Sequence, residues 1–376
     1  MQIETLEVQD NHWVCEQPNL TNKENTNLIF VFGDTQAFKQ PHHFDNLRAL
    51  YPNALIAGCS SSGHIQGVEI SESSLIATAI EFSSSHVELS TVYFKEDDNL
   101  EVVAQNLIEQ LPQQGLKHVF ILSEGLKING SKLVQGLNKV SKVPVTGGLA
   151  GDGERFQETW VIANGPPQQN QLVALGFYGE QIHVGHGCFS GWSSFGTQRT
   201  ITKSKNNVVY EIDNQPALEL YKTYLGDYAS ELPSSGLRFP LNIKKDESSK
   251  EVIRTLLAID EDENSITFAG DVPEGYLARL MKPEIDDLIE GAGKAAENID
   301  IKNDKQALGL VVSCVGRKLV INQMIEEELE AVQDKLGNST TLTGFYSYGE
   351  IAPNLEDNMA TALHNQTMTL TVIFED

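Results

Sequence analysis

Three short segments of this 376-residue chain set a titratable or ligating side chain directly behind a glycine-rich turn. They read Gly58-Cys-Ser-Ser-Ser-Gly63-His64, Gly148-Leu-Ala-Gly-Asp-Gly153-Glu154 and Gly344-Phe-Tyr-Ser-Tyr-Gly349-Glu350. The common form is Gly-x4-Gly followed by His or Glu, so an imidazole or a carboxylate recurs at one kind of turn. If the turns pack about a pseudo-twofold axis, they converge on one pocket. The competing reading is that the glycines only satisfy tight turns and the polar residue caps the next strand. A fainter copy, Gly270-Asp-Val-Pro-Glu-Gly275-Tyr276, is also present. Gly148 to Gly153 lacks the Lys-Ser/Thr continuation of a phosphate loop, and the chain has no nucleophile elbow and no HExxH. Cys59 and His64 suggest a nucleophile and base only superficially, because their spacing in such a turn fixes no hydrogen bond. A binding protein, not an enzyme, is expected.

Other residues could hold a ligand. His186 stands between Gly185 and Gly187, which would let a flat ligand approach the backbone, and close to Cys188, Phe189, Trp192 and Phe195. A lone histidine that merely bonds the backbone is the bland alternative. His183 alternates to the other face if the run is a strand, so it is an alternative ligand, not a second one. His364 opens the last strand, where a core or surface position is equally compatible. Arg317 follows an apolar strand in Cys314-Val-Gly-Arg317, where a guanidinium can hold a carboxylate or phosphate, or can pair with Glu350 in the core. Cys59 and Cys314 read as packed thiols.

The elements that must position these residues are legible as buried strands and amphipathic helices. Opening apolar runs at Leu28–Phe32, Val119–Leu122 and Leu308–Val312 precede the three glycine patterns, and closing runs at Leu75–Phe82, Leu172–Tyr178 and Met368–Phe374 follow them. Between them, Val103, Leu107 and Leu111, and again Ile325, Leu329, Val332 and Leu336, form helical stripes. Gly337 is the expected cap of the second, and Pro216 and Pro283 the expected first-turn residues of two more helices. Such recurrence points to duplication, as four related blocks, two per half. The expected fold is α+β: two lobes of mixed sheets covered by helices, built from duplicated strand-helix-strand-strand units. The join falls in the glycine- and aromatic-rich stretch His183–Thr200, giving domains 1–200 and 201–376; Lys244–Lys250 reads as a surface loop.

Composition limits the partners. Acidic residues outnumber basic ones 52 to 27, a formal charge of −25, which repels nucleic acid and anionic lipid. Four scattered cysteines without CxxC spacing fit a reducing compartment, and no signal peptide or membrane span is legible, so a cytoplasmic protein is expected.

The combined motifs resemble the FIST sensory proteins, an N-terminal FIST domain followed by a C-terminal one. The matching residues are Gly58-Cys59-Ser60 and Gly63, Gly148 with Ala150-Gly151-Asp152, Gly185 to Gly196, Val208 to Gly226, Ser313 to Arg317, Gly344-Phe345 with Gly349-Glu350, and Leu363-His364-Asn365 with Thr367. The resemblance implies a cytoplasmic bacterial signal-transduction sensor that binds a small ligand and acts through a separate signalling partner. One branch is similar to haem proteins that sense nitric oxide and regulate a histidine kinase in biofilm control. Under that branch haem would take His186 as axial ligand, with His183, His64 and His364 as alternatives, Cys188 and Trp192 beside it and Arg317 on a propionate. The alternative is a receptor for an amino acid or similar metabolite in which Arg317 and Glu350 clamp carboxylate and amine. The resemblance leaves homodimerisation open.

Overall fold

The computed structural model describes residues 1–15, 18–301, 305–354 and 357–376. Three of the apolar blocks fold alike. In the first, the opening strand Leu28–Gly33 pairs in parallel with Leu55–Ser60 across a crossover that includes the helix Pro41–Leu50, and antiparallel with the closing strand Leu75–Glu81. In the second, Leu116–Ser123 pairs with Val145–Leu149 and Gln171–Tyr178 around the helix Gly130–Val140. In the third, Ala307–Cys314 pairs with Thr340–Ser347 and Met368–Glu375, with the helices Val315–Ile321 and Ile325–Leu336 in the crossover. Strands buried on both faces read as continuous apolar runs, which is why these blocks were visible in the sequence.

Each six-stranded sheet is completed by its neighbours. Gln2–Gln9, His86–Tyr93 and Ile182–Phe189 flank the closing strands. At the other side each sheet takes a strand from a different repeat. Val161–Ala163 of the second repeat joins the first sheet, Gly349–Asn354 of the third joins the second, and His64–Gln66 of the first joins the third. The exchange runs in one direction and closes on itself, so the three repeats form a ring with pseudo-threefold order. The inner faces supply a shared core: the Phe32 and Phe345 rings stack 5.0 Å apart, and Phe30 meets Phe120 edge-on at 5.6 Å.

The class is α+β, as expected, but the repeats number three. Gly270–Gly275 lies between Ser265–Phe268 and Leu277–Lys282 of an eight-stranded antiparallel sheet, with no parallel pair around it. That sheet, residues 193–282, is inserted between Ile182–Phe189 and the helix Ile285–Ala296. Gly337 caps Ile325–Leu336 at φ 83°, as predicted. The prolines sit earlier than predicted: Pro216 is the N-cap of Ala217–Leu225, and Glu284, after Pro283, is the N-cap of Ile285–Ala296. No helix among the described residues is long and apolar enough to cross a membrane.

The strand glycines are packing devices. A Cβ at Gly58 would stand 2.0 Å from Val31 O, and one at Gly344 would stand 1.9 Å from Val311 O. In the second repeat Gly147, one residue before the motif glycine, has this role, 1.9 Å from Ile121 O. At Gly187 a Cβ would come 1.8 Å from Ala295 O, within the helix Ile285–Ala296. Gly187→Ala is therefore expected to push that helix off its strand at a cost of about 1–3 kcal/mol, read as a lower urea midpoint.

Candidate functional site

The three glycine-rich turns do meet, through their backbones. Ser62 N donates to Tyr346 O at 2.9 Å, Gly151 N to Ser60 O at 3.0 Å, and Tyr348 N to Leu149 O at 3.2 Å, a cycle linking the repeats. Their final side chains diverge, contrary to a common pocket about a twofold axis. His64 is buried at the edge of a cavity of about 390 Å³, Glu154 is exposed at one of about 580 Å³, and Glu350 lies buried near a third. Strand register explains the divergence: Ile65 stands opposite Gly344, whereas Glu350 itself stands opposite Gly148. A one-residue offset turns a side chain to the other face of a sheet. Asp152, not proposed from the sequence as a functional group, organises the second turn. Its carboxylate accepts from the backbone N–H groups of Phe156, Gln157 and Glu158 at 2.9, 2.8 and 3.0 Å and from the Tyr348 hydroxyl.

His186 does not face a slot. Gly185 and Gly187 are small because Ile299 and the helix Ile285–Ala296 pack on them, and a Cβ at Gly185 would come 2.7 Å from Ile299. Alternation along Ile182–Phe189 turns His186 the other way, onto His118, with ring centroids 6.2 Å apart. The Nε2 of His118 meets the Thr146 hydroxyl at 2.7 Å. Burial lowers the pKa of both histidines, that of His118 to about 3, so the pair is neutral. His183, at the edge, bonds Asp376 at 2.6 Å and stacks on Phe374. Trp192 is buried in a cluster with Ile253, Met281, Leu288 and Ile321. These residues do not fit a haem at His186, because helix and imidazole fill both sides of the strand.

Arg317 is committed elsewhere as well. Its fully buried guanidinium bonds Glu328 Oε2 through Nε at 3.1 Å and Nη2 at 2.9 Å, and donates to Leu288 O at 2.8 Å and to Ser190 O. Ser190 and Leu288 flank the two connections of the inserted sheet, so Arg317 staples them together. It is not available to clamp a ligand, and its carboxylate is Glu328 in place of Glu350. Glu328 was detectable in principle: it sits one turn after Ile325 and one before Val332, a charge within an apolar stripe.

Glu350 is held by the last repeat. Ser347 Oγ donates to Oε1 at 2.7 Å, and Thr367 donates to Oε2 through N at 3.1 Å and Oγ1 at 2.9 Å. Burial raises its pKa to about 7 against these hydrogen bonds. Above Thr367 opens a cavity of about 420 Å³ between the ring and the inserted sheet. Cys188, Phe189, His364, Asn365 and Thr367 line it from the ring, and Ser249–Ile253 from the insert. It thus gathers two residues singled out in the sequence, Cys188 and His364, and has Glu350 behind it. Burial pushes the Cys188 thiol up to about 12 and His364 down to about 4, so both are neutral. His364 Nε2 lies 3.2 Å from Ala352 O, which can only accept, so Nε2 carries the proton and Nδ1 is an acceptor. Asn365 was noted in the sequence only as part of the family pattern. It is 1% exposed, and among the described residues its Oδ1 has no hydrogen-bond partner. Among the described residues no group of three or more His, Cys, Asp or Glu side chains could hold a metal ion.

Comparison with known proteins identifies the family, with a boundary between its two domain models that falls within the inserted sheet. An uncharacterized protein of the archaeon Methanocaldococcus jannaschii is 22% identical over 93% of this chain and 73% of its own length. The crystal structure of a cyanuric acid hydrolase from A. caulinodans aligns with 94% of this chain and 91% of its own, at 6% identity and a TM-score of 0.33, a likeness too low to bear on fold or activity. The FIST N domain family model matches residues 27–215 and the FIST C domain model residues 217–353. The chain therefore belongs to the FIST family, whose domains are sensory and bind small ligands.

Proposed function

We propose that this protein is a cytoplasmic sensory receptor for a small zwitterion of the amino-acid type, bound in the cavity between the ring and the inserted sheet. Its output is carried by a separate signalling protein, with a histidine kinase as the proposed partner type. The observation that carries the reading is the orphaned Asn365 Oδ1 in a cavity wall. A buried acceptor without a partner is costly, and a ligand ammonium would satisfy it. His364 Nδ1 and Glu251 supply further acceptors, the Lys250 side chain adds positive charge to the same wall, and Phe189, Val252 and Ile253 suit an apolar side chain. The volume of about 420 Å³ is in the range of small-molecule sites. Haem-based nitric oxide sensing, with its biofilm output, would need a site other than His186.

A thermal-shift screen of amino acids tests the proposal. A cognate ligand at 100 times its Kd adds about 2.7 kcal/mol of stability. Asn365→Leu should weaken binding by about 10- to 100-fold, the loss of one charge-assisted hydrogen bond. A screen in which no amino acid raises the melting temperature would sink the reading.

A further inference from the structure

The cavity beside His64 is separate from the one above and has its own chemistry. It lies between the first strand Gln2–Gln9, the short strands His64–Gln66 and Glu69–Ser71, and the start of Thr340–Ser347. His64 is 1% exposed, yet among the described residues neither of its ring nitrogens has a hydrogen-bond partner. A neutral imidazole carries one donor and one acceptor, and leaving both unmet in the interior is unfavourable. Burial holds His64 neutral, its pKa lowered to about 4 with help from Lys318 and against the opposing fields of Asp34 and Glu72. The surrounding wall offers the Gln66 amide and the Ser71 and Thr341 hydroxyls, whose side chains make no hydrogen bond among the described residues, with the carboxylates of Glu7 and Glu69.

We infer that this cavity is a second ligand site, for a neutral polyhydroxylated molecule of monosaccharide size, anchored at His64 by an unmet ring nitrogen. A hydroxyl both donates and accepts, so vicinal hydroxyls satisfy an imidazole, an amide and side-chain hydroxyls together, and carboxylates accept their remaining protons. An anion is disfavoured by Glu7 and Glu69. A bound metal ion is disfavoured because, among the described residues, no three-residue His, Cys, Asp or Glu cluster can hold one. The volume of about 390 Å³ accommodates one such ring.

The test is titration of the full-length protein, carrying ¹³C-labelled histidine, with myo-inositol, D-ribose and D-glucose. The His64 imidazole resonance, assigned by its loss in His64→Phe, is the readout. The expected result is a saturable shift of that resonance with at least one of the three. Gln66→Ala, at a half-buried wall position, should weaken the response about tenfold, the effect of one lost hydrogen bond. The response should persist in Asn365→Leu, so its failure is distinguishable from failure of the amino-acid site. The absence of a saturable shift with all three probes, or a shift that Gln66→Ala leaves unchanged, would overturn the proposal and leave His64 to water.

Discussion

Arg317→Met is expected to lower folding stability by about 3–5 kcal/mol, the typical cost of leaving one member of a buried ion pair behind. Among the described residues Glu328 would keep two hydroxyl donors, Tyr346 at 2.8 Å and Ser313 at 3.2 Å, and no cation for its fully buried charge. The carbonyls of Ser190 and Leu288 would lose the guanidinium as a donor at the same time. Urea denaturation reads the loss directly. The double variant Arg317→Met with Glu328→Leu removes both charges and should recover most of it, since apolar replacements of a buried pair are often neutral. A single variant within about 1 kcal/mol of wild type would be the value of an exposed pair, and would remove Arg317 as the staple of the inserted sheet.

Glu350 should give the protein a pH dependence of opposite sign to that of an ordinary salt-bridged carboxylate. Its folded pKa is raised from 4.5 to about 7, chiefly by burial. The folded state therefore holds a proton that the unfolded chain releases. The associated stability is fully present below pH 4.5 and is lost as pH rises through about 7. A shift of this size corresponds to about 3 kcal/mol at alkaline pH. Glu350→Gln should flatten that slope and be the more stable protein at pH 8, less about 1 kcal/mol for altered hydrogen bonds. His64, His118 and His364 act the other way: their lowered values give stability present above 6.5 and lost as pH falls. Urea midpoints of wild type and variant across pH 5 to about 8.5 separate the two, because the histidine contribution cancels in the difference. Parallel curves would show that Glu350 is ionised throughout.

The opening and closing strands were legible because a strand buried on both faces leaves a continuous apolar run, as in Leu28–Phe32 and Leu308–Val312. The ring was not, because it is closed by short exchanged strands. His64–Gln66 and Val161–Ala163 have three residues each, too few for any period to show. The false fourth repeat at Gly270 arose because an antiparallel strand end with two glycines reads like a parallel one. For the site, the polar run His364-Asn365-Gln366-Thr367 was visible, but its depth was not. Sequence cannot distinguish Asn365, buried with an unmet acceptor, from a surface asparagine. The glycines beside His186 are ambiguous in the sequence, since a small residue admits a ligand or a helix equally, and here Ala295 and Ile299 occupy the space. Arg317 reads in the sequence as an anion-holding group, but its partner Glu328 lies eleven residues further on, within the otherwise apolar stripe of a helix.

On the proposed function, the cavity walled by His364, Asn365 and Ser249–Ile253 binds a small zwitterion through Asn365 Oδ1. Isothermal titration of the best amino acid from the screen into wild type and Asn365→Leu tests it most directly. Saturable one-site binding to wild type is expected, with a Kd about 10- to 100-fold higher in the variant and the fold retained. Equal affinity in the two proteins would contradict it.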